Sequence, residues 1–218
     1  MNKIFNFEGP VFTFLSRLAD LFWLNLLYIL CCIPVITAGA ATTALYYVTL
    51  KMAKDEEGYI TKSYFKSFKQ NFVQATVIWL VILVIGVVMF MDLRIANGGN
   101  MAEILKTTTV SNVVIVAVGV MLIILCMTLT YVFPLLAQFD NTVINTVKNA
   151  FLLSIRHLPY TFLMILITAI PVALIWFSPA LLLLVLIMFS ATAYINSKFF
   201  NKIFILYMPK EEGIDGEG

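Results

Sequence analysis

The single histidine of the chain, His157, stands beside Arg156 where an apolar run begins. No second histidine, cysteine pair or acidic cluster accompanies it in sequence, so it reads as an interfacial polar residue rather than a ligand or base. The run Asp55-Glu56-Glu57 could hold a divalent cation, but directly before Gly58 it reads as a solvated acidic turn. Cys31, Cys32 and Cys126 lie inside apolar runs without ligand spacing, where cysteine behaves as a small hydrophobe. The chain has no GxSxG elbow, no phosphate-binding Walker loop and no HExxH pair. We therefore expect no catalytic residue, no metal and no cofactor, and a protein that is not an enzyme.

The elements that carry these residues follow from composition. Of 218 residues, 61% are hydrophobic and 12% charged, and mean hydropathy is +0.97. A soluble domain carries about 25% charged and about 45–50% apolar residues. The expected class is an all-α, polytopic transmembrane helix bundle, one membrane domain over 1–208 with a flexible tail over 209–218. A net charge of +2 says little about partners, because in such a chain the distribution of charge outweighs its sum; no nucleic-acid partner is expected. Residues 1–20 lack the continuous apolar core and small-residue site of a cleavable signal peptide. From Pro10, the spacing Val11, Phe12, Leu15, Leu18, Phe22 predicts an amphipathic lead-in helix at the membrane interface.

Crossings need roughly 17–25 apolar residues. Residues 72–91, 110–137, 160–177 and the shorter 179–195 meet or approach this, with a tight turn at Ser178-Pro179. The stretch Leu21–Leu50 is uncharged throughout, too long for one crossing and too short for two. If it crosses once, five crossings place ten basic residues on one side and four on the other; if twice, six crossings place twelve against two. Basic residues mark the cytoplasmic side, so both readings put 51–71, 138–158 and the C-terminus in the cytoplasm. Residues 39–50 are weakly apolar, and Ala41, Ala44, Leu45 and Val48 share one face, which suits a helix at the interface or wedged between neighbours. Pro34, Thr37 and Gly39 are the candidate turn and packing residues of this stretch, with Pro34 ending a crossing and Gly39 turning the chain.

A faint internal repeat favours five crossings. Ile33-Pro34-Val35-Ile36-Thr37 matches Phe133-Pro134-Leu135-Leu136-Ala137, with Thr42 and Thr142 eight positions beyond each proline. On this reading 11–91 and 110–177 are parallel units followed by a final helix, 179–197.

No ionisable group lies well inside an expected crossing, so an ion-coupled pump is disfavoured. Asn25 is the most deeply placed amide of the first crossing, either a substrate contact or a helix-to-helix hydrogen bond. The cytoplasmic segments offer more. In TKSYFKSFKQNF (61–72), Tyr64, Phe65, Phe68 and Phe72 form an apolar stripe and Lys62, Lys66 and Lys69 a basic one. In NTVINTVKNAFLLSIRH (141–157), one face is apolar, Lys148 and Arg156 lie off it, and Asp140 or Asn141 is placed to cap the helix. Lys62, Phe65, Lys66, Phe68, Lys69, Lys148 and Arg156 are thus candidates for binding anionic lipid or a partner.

The segments LFWLNLLYILCCIPVITAGAATTALYYVTLK (21–51), EEGYITKSYFKSFKQNFVQAT (56–76) and FPLLAQFDNTVINTVKNAFLLSIRHLP (133–159) resemble the YesL family of bacterial integral membrane proteins. Ala40 departs from the family, which has proline after the glycine. The resemblance implies a multi-pass protein of the bacterial plasma membrane with no established activity. It also implies gene neighbours that are ABC-type carbohydrate transporters and polysaccharide-degrading enzymes. The expected function is a non-enzymatic accessory for carbohydrate uptake, with membrane lipids and a transporter subunit as partners. The alternatives are a permease-like transport subunit and a lipid-interacting structural protein.

Overall fold

The computed structural model describes residues 10–56, 58–98, 108–177 and 185–208. They form seven α-helices and, among the described residues, no strand: α1 (Pro10–Cys32), α2 (Ala38–Met52), α3 (Ile60–Gly98), α4 (Thr108–Gln138), α5 (Val143–Arg156), α6 (Leu158–Phe177) and α7 (Val185–Phe204).

α1 stops at Cys32 because the next residues cannot continue it. Ile33 precedes proline, which disfavours helical backbone, and Pro34 has no N–H to donate. The Thr37 hydroxyl donates to Cys31 O at 2.6 Å and Pro34 O at 2.8 Å, covering carbonyls that the helix end leaves open. One 3-10 turn, Val35–Thr37, completes the reversal. α2 then runs back along α1: the hydroxyls of Tyr28 and Thr42 are 3.5 Å apart, and Arg17 donates to Met52 O at 2.8 Å. The start of α1 and the end of α2 share one end of the bundle. This corrects the expectation that the chain turns at Gly39 and leaves the N-terminus opposite residues 51–71; it is the arrangement that the twelve-to-two charge tally assumes.

α2 is wedged between neighbours and does not lie at the surface. Gly39, Ala40, Ala41, Thr43, Ala44, Leu45, Val48, Thr49 and Leu50 are buried. The Thr43 and Thr49 hydroxyls donate to Gly39 O and Leu45 O, so the buried face holds no open donor there. Gly39 belongs to the first turn of α2. A Cβ there would sit 2.5 Å from Ala75 O and 2.7 Å from Trp79 Cβ, so only glycine permits α2 to meet α3 this closely.

α3 has 39 residues, about 58 Å, nearly twice a hydrocarbon core of about 30 Å. Its first half buries Tyr64, Ser67, Asn71, Ala75 and Ile78, at spacings of three and four. The Trp79 indole donates to Val35 O at 2.7 Å, tying the α1–α2 turn to the middle of α3. Beyond it α3 packs on α4, beginning at Trp79 and Phe133. α4 continues through Pro134 to Gln138.

α7 closes the bundle. Ser190 N donates to Asn25 Oδ1 at 3.0 Å and Ser190 Oγ to Leu21 O at 2.7 Å. The Thr49 and Ser197 hydroxyls are 2.8 Å apart, and Asn201 Nδ2 donates to Leu50 O at 3.1 Å. Phe200 stands edge-on to Tyr46 and Tyr131 and stacks with Phe204. Asn25 therefore makes a helix-to-helix hydrogen bond. α1 runs away from the Lys-rich end and α4 towards it, since Phe139 beyond α4 packs on Phe204 and Asn201 reaches Leu50. The two halves aligned in the sequence comparison point in opposite directions.

Among the described residues, three helices are long and apolar enough to cross a membrane, Phe12–Cys32, Ile60–Asp92 and Ile115–Gln138. A fourth is added if Val143–Arg156 and Leu158–Pro171, which meet at 104°, form one broken span. The expected turn at 178–179 and the tail 209–218 lie outside the described residues, as does most of the first half of the expected last crossing.

Candidate functional site at the Lys-rich end

Three clefts open at the end of the bundle that gathers the starts of α1, α3 and α6 and the ends of α2, α4 and α7. The first, about 650 Å³, lies between α1, the end of α2 and the start of α3. Arg17 is its organiser. Its guanidinium donates to Met52 O at 2.8 Å and Tyr194 Oη at 3.0 Å, and pairs with the Asp55 carboxylate. One side chain thus joins α1, α7 and the turn after α2. Asp55 takes φ of 58°, a left-handed conformation that aspartate tolerates better than most residues and that closes this turn. Asp20, Lys51 and Glu56 also line the cleft, and the Lys51 ammonium lies 4.8 Å from the Tyr47 ring. Arg17 falls within the amphipathic lead-in helix that the sequence predicts. Its signal, a guanidinium one turn before an uncharged run, does not by itself name a partner 38 residues away.

The second cleft, about 570 Å³, is shallow and lined by Tyr59, Ile60, Thr61, Lys62, Phe65, Lys66 and Lys69. The sequence-predicted residues Lys62, Phe65, Lys66 and Lys69 come together here on one exposed face of α3. Phe68 does not: it turns inward, stacks on Tyr64 and packs against the core. The segment is also no separate surface helix but the first three turns of α3. Trp23 of α1 reaches across, its indole donating to Thr61 Oγ1 at 2.9 Å.

The third cleft, about 360 Å³, runs between α5 and the end of α7 and includes Leu135, Phe139, Asn149, Arg156, Phe204 and Tyr207. Arg156 lies 5.5 Å from the Tyr207 ring, and His157 Nε2 is 3.1 Å from Tyr207 Oη. Lys148 is exposed and lines none of the three. α5 is capped by Thr142, whose hydroxyl accepts from Asn145 N, in place of the expected Asp140 or Asn141. It turns Thr146, Ala150, Leu153 and Ser154 inward, while Ile144, Leu152 and Ile155 are exposed. The apolar stripe read from sequence is thus divided: Ala150 and Ser154 face inward, while Ile144, Val147, Phe151 and Ile155 are exposed. Pro34 and Thr37 sit in the α1–α2 turn and Pro134 inside α4, all away from these clefts except Pro134, whose neighbour Leu135 lines the third.

Among the described residues, no group of three or more His, Cys, Asp or Glu side chains is placed to hold a metal ion, and the described Asp55 is engaged by Arg17. Thr128, Thr130 and Thr168 donate to carbonyls of their own helices. The clefts offer charge, aromatic edges and apolar floors, which is binding chemistry.

Apolar helices of this length, with their polar clefts at one end, are compatible with a multi-pass membrane protein. Residues 21–93 match the family model described as "Protein of unknown function, DUF624". The chain is 29% identical over 130 residues to the uncharacterized protein YteU of Bacillus subtilis strain 168, covering 59% of this chain and 54% of that protein. The chain spans about half the length of the curated relative it matches. Together these likenesses support a DUF624-type family. No solved structure matches the chain.

Proposed function

We propose that this is a non-enzymatic membrane protein that acts through its Lys-rich end on another membrane component, as an accessory to uptake of carbohydrate. The observation that carries the first part is the placement of the clefts: the three described lie at one end, and Asn25, Thr49 and Asn201 make hydrogen bonds from helix to helix. The carbohydrate link rests on the YesL resemblance alone. On this reading the Lys-rich end faces the cytoplasm of a bacterial cell. Mild detergent extraction and affinity purification of the full-length chain should recover a subunit of a carbohydrate transporter. Recovery of the chain alone, across several detergents and added lipids, overturns the accessory role.

One observation favours a second reading, a permease-like transport subunit. α5 is a short amphipathic helix between two apolar helices and meets the next at 104°, the kind of element through which a permease engages a motor subunit. Vesicles carrying the protein and a co-purified ATPase should then take up sugar on ATP addition. Vesicles that do not, while the ATPase remains bound and active, exclude it.

A further inference from the structure

We propose that the outer face of α3 is a binding track for an anionic phospholipid, with its headgroup phosphate on Lys62, Lys66 and Lys69 and its acyl chain along the valine-rich stripe above. This goes beyond the accessory role and does not depend on it.

The argument begins with register. Lys62, Lys66, Lys69, Val73, Val77, Leu80, Val84, Val87 and Met91 follow one another at steps of three and four residues, which on a helix of 3.6 residues per turn is one straight line. Every one of them is exposed, so no other described element covers that line. The helix carrying it is continuous. The chemistry of the line changes once, between Lys69 and Val73. From Val73 to Met91 the rise is about 27 Å, close to the hydrocarbon thickness of about 30 Å. Asp92 and exposed Arg94 follow directly, where the far headgroups begin. Fixing the apolar part in the hydrocarbon leaves Lys69 about one turn outside it and Lys62 about 10 Å further, across the headgroup layer.

The lysines also form more than a charged strip. Phe65 stands between them and Tyr59 at their foot, both exposed, which gives the groove the aromatic edges found at membrane interfaces. None of the residues lining the groove is acidic, so the ammonium groups have no carboxylate in the cleft to neutralise them. The nearby Asp55 is engaged by Arg17. An anion whose attached chain is apolar fits both parts of the line. A soluble acidic protein would fit only the lysines.

The test uses the full-length chain purified in a neutral detergent, with bound lipid counted by native mass spectrometry after titration with phosphatidylglycerol or phosphatidylcholine. A lysine near an anionic surface contributes about fivefold in affinity, so the parent protein should prefer phosphatidylglycerol by at least about tenfold. The K62Q/K66Q/K69Q variant should fall to near parity. K62R/K66R/K69R, which keeps the charge, should retain the preference, as should K202Q, at an exposed lysine of α7. Raising salt to about 0.5 M should weaken the preference of the parent. Equal binding of the two lipids by the parent overturns the proposal. So does a folded glutamine variant that keeps full preference, or a folded arginine variant that loses it. If the glutamine variant instead loses a co-purifying membrane protein while its lipid ratio is unchanged, the face is a protein dock and the lipid track is wrong.

Discussion

α2 and the far half of the α3–α4 pair are opposites. α2 is short, rich in alanine and threonine, and nine of its residues are buried. The far half of α3 and α4 is the more apolar stretch, yet Val81, Val84, Val88, Val113, Val116 and Ile123 are all exposed. In water this would be an inversion. Next to lipid it is the expected order, because hydrocarbon covers valine as well as another helix does, and helices then meet through small residues and hydrogen bonds. In a membrane, hydropathy in this chain would mark what lipid covers, and small residues where protein meets protein.

The largest effect that could break this comparison is one of sidedness. With Cys31, Cys32 and Cys126 replaced, Ser16→Cys and Glu56→Cys should react with a membrane-impermeant maleimide from the same side of intact cells, and Asp92→Cys from the other. The Arg17–Asp55 pairing places the first two together. Opposite reactivity of Ser16→Cys and Glu56→Cys would restore a single crossing over 21–50 and dissolve the α1–α2 hairpin.

Next is a pair of glycines. Gly39→Val places atoms 2.5 Å from a backbone carbonyl that cannot move alone, and should cost about 3 kcal/mol or more. A Cβ at Gly86 or Gly119 meets nothing within 4 Å, so Gly86→Val should stay within about 0.5 kcal/mol of the parent. Unfolding titrations in mixed micelles measure both. Equal costs would mean that the far half is as tightly packed as α2.

A smaller contrast sets Asn25→Ala against Val84→Ala. Asn25 is buried and accepts from Ser190 N, so its loss should cost about 1–2 kcal/mol. Val84 faces outward, and its truncation should be nearly silent in the same titration.

Much of this was legible before the structure. Composition and run length gave the helical class, and the basic residues marked the end that carries the clefts. Ile33-Pro34 marked where α1 must stop. The fate of 38–52 was not legible, because a fifteen-residue segment in which small and hydroxylated side chains predominate suits an interface helix as well as a wedge. What separates them is the presence of Ala75 and Trp79 opposite Gly39, and those lie on another element. The same limit applied to Phe65 and Phe68. Both fit an apolar stripe by spacing, and only the position of Tyr64 against α1 and α2 decides that Phe68 turns in. The repeat built on the two prolines failed for a related reason: Pro34 ends a helix where Thr37 receives the chain, whereas Pro134 lies within one.

The smallest effect concerns the clasp at Arg17, where the packed and open regions meet the first cleft. Asp55 is mostly exposed, with 79% of its side chain accessible, so solvent screens the pair and its net worth should be under about 1 kcal/mol. Arg17 also holds Met52 O and Tyr194, contacts that Asp55 does not share. A double-mutant cycle of Arg17→Gln and Asp55→Asn should therefore give a coupling below about 1 kcal/mol, with Arg17→Gln alone costing more than Asp55→Asn alone. Hydrogen exchange at residues 52–56 should quicken in Arg17→Gln while that of 39–48 stays slow, since the latter are held by burial against α3 and α7. Exchange that quickens along the whole of α2 would show that the clasp, and not small-residue packing, keeps this helix in the bundle.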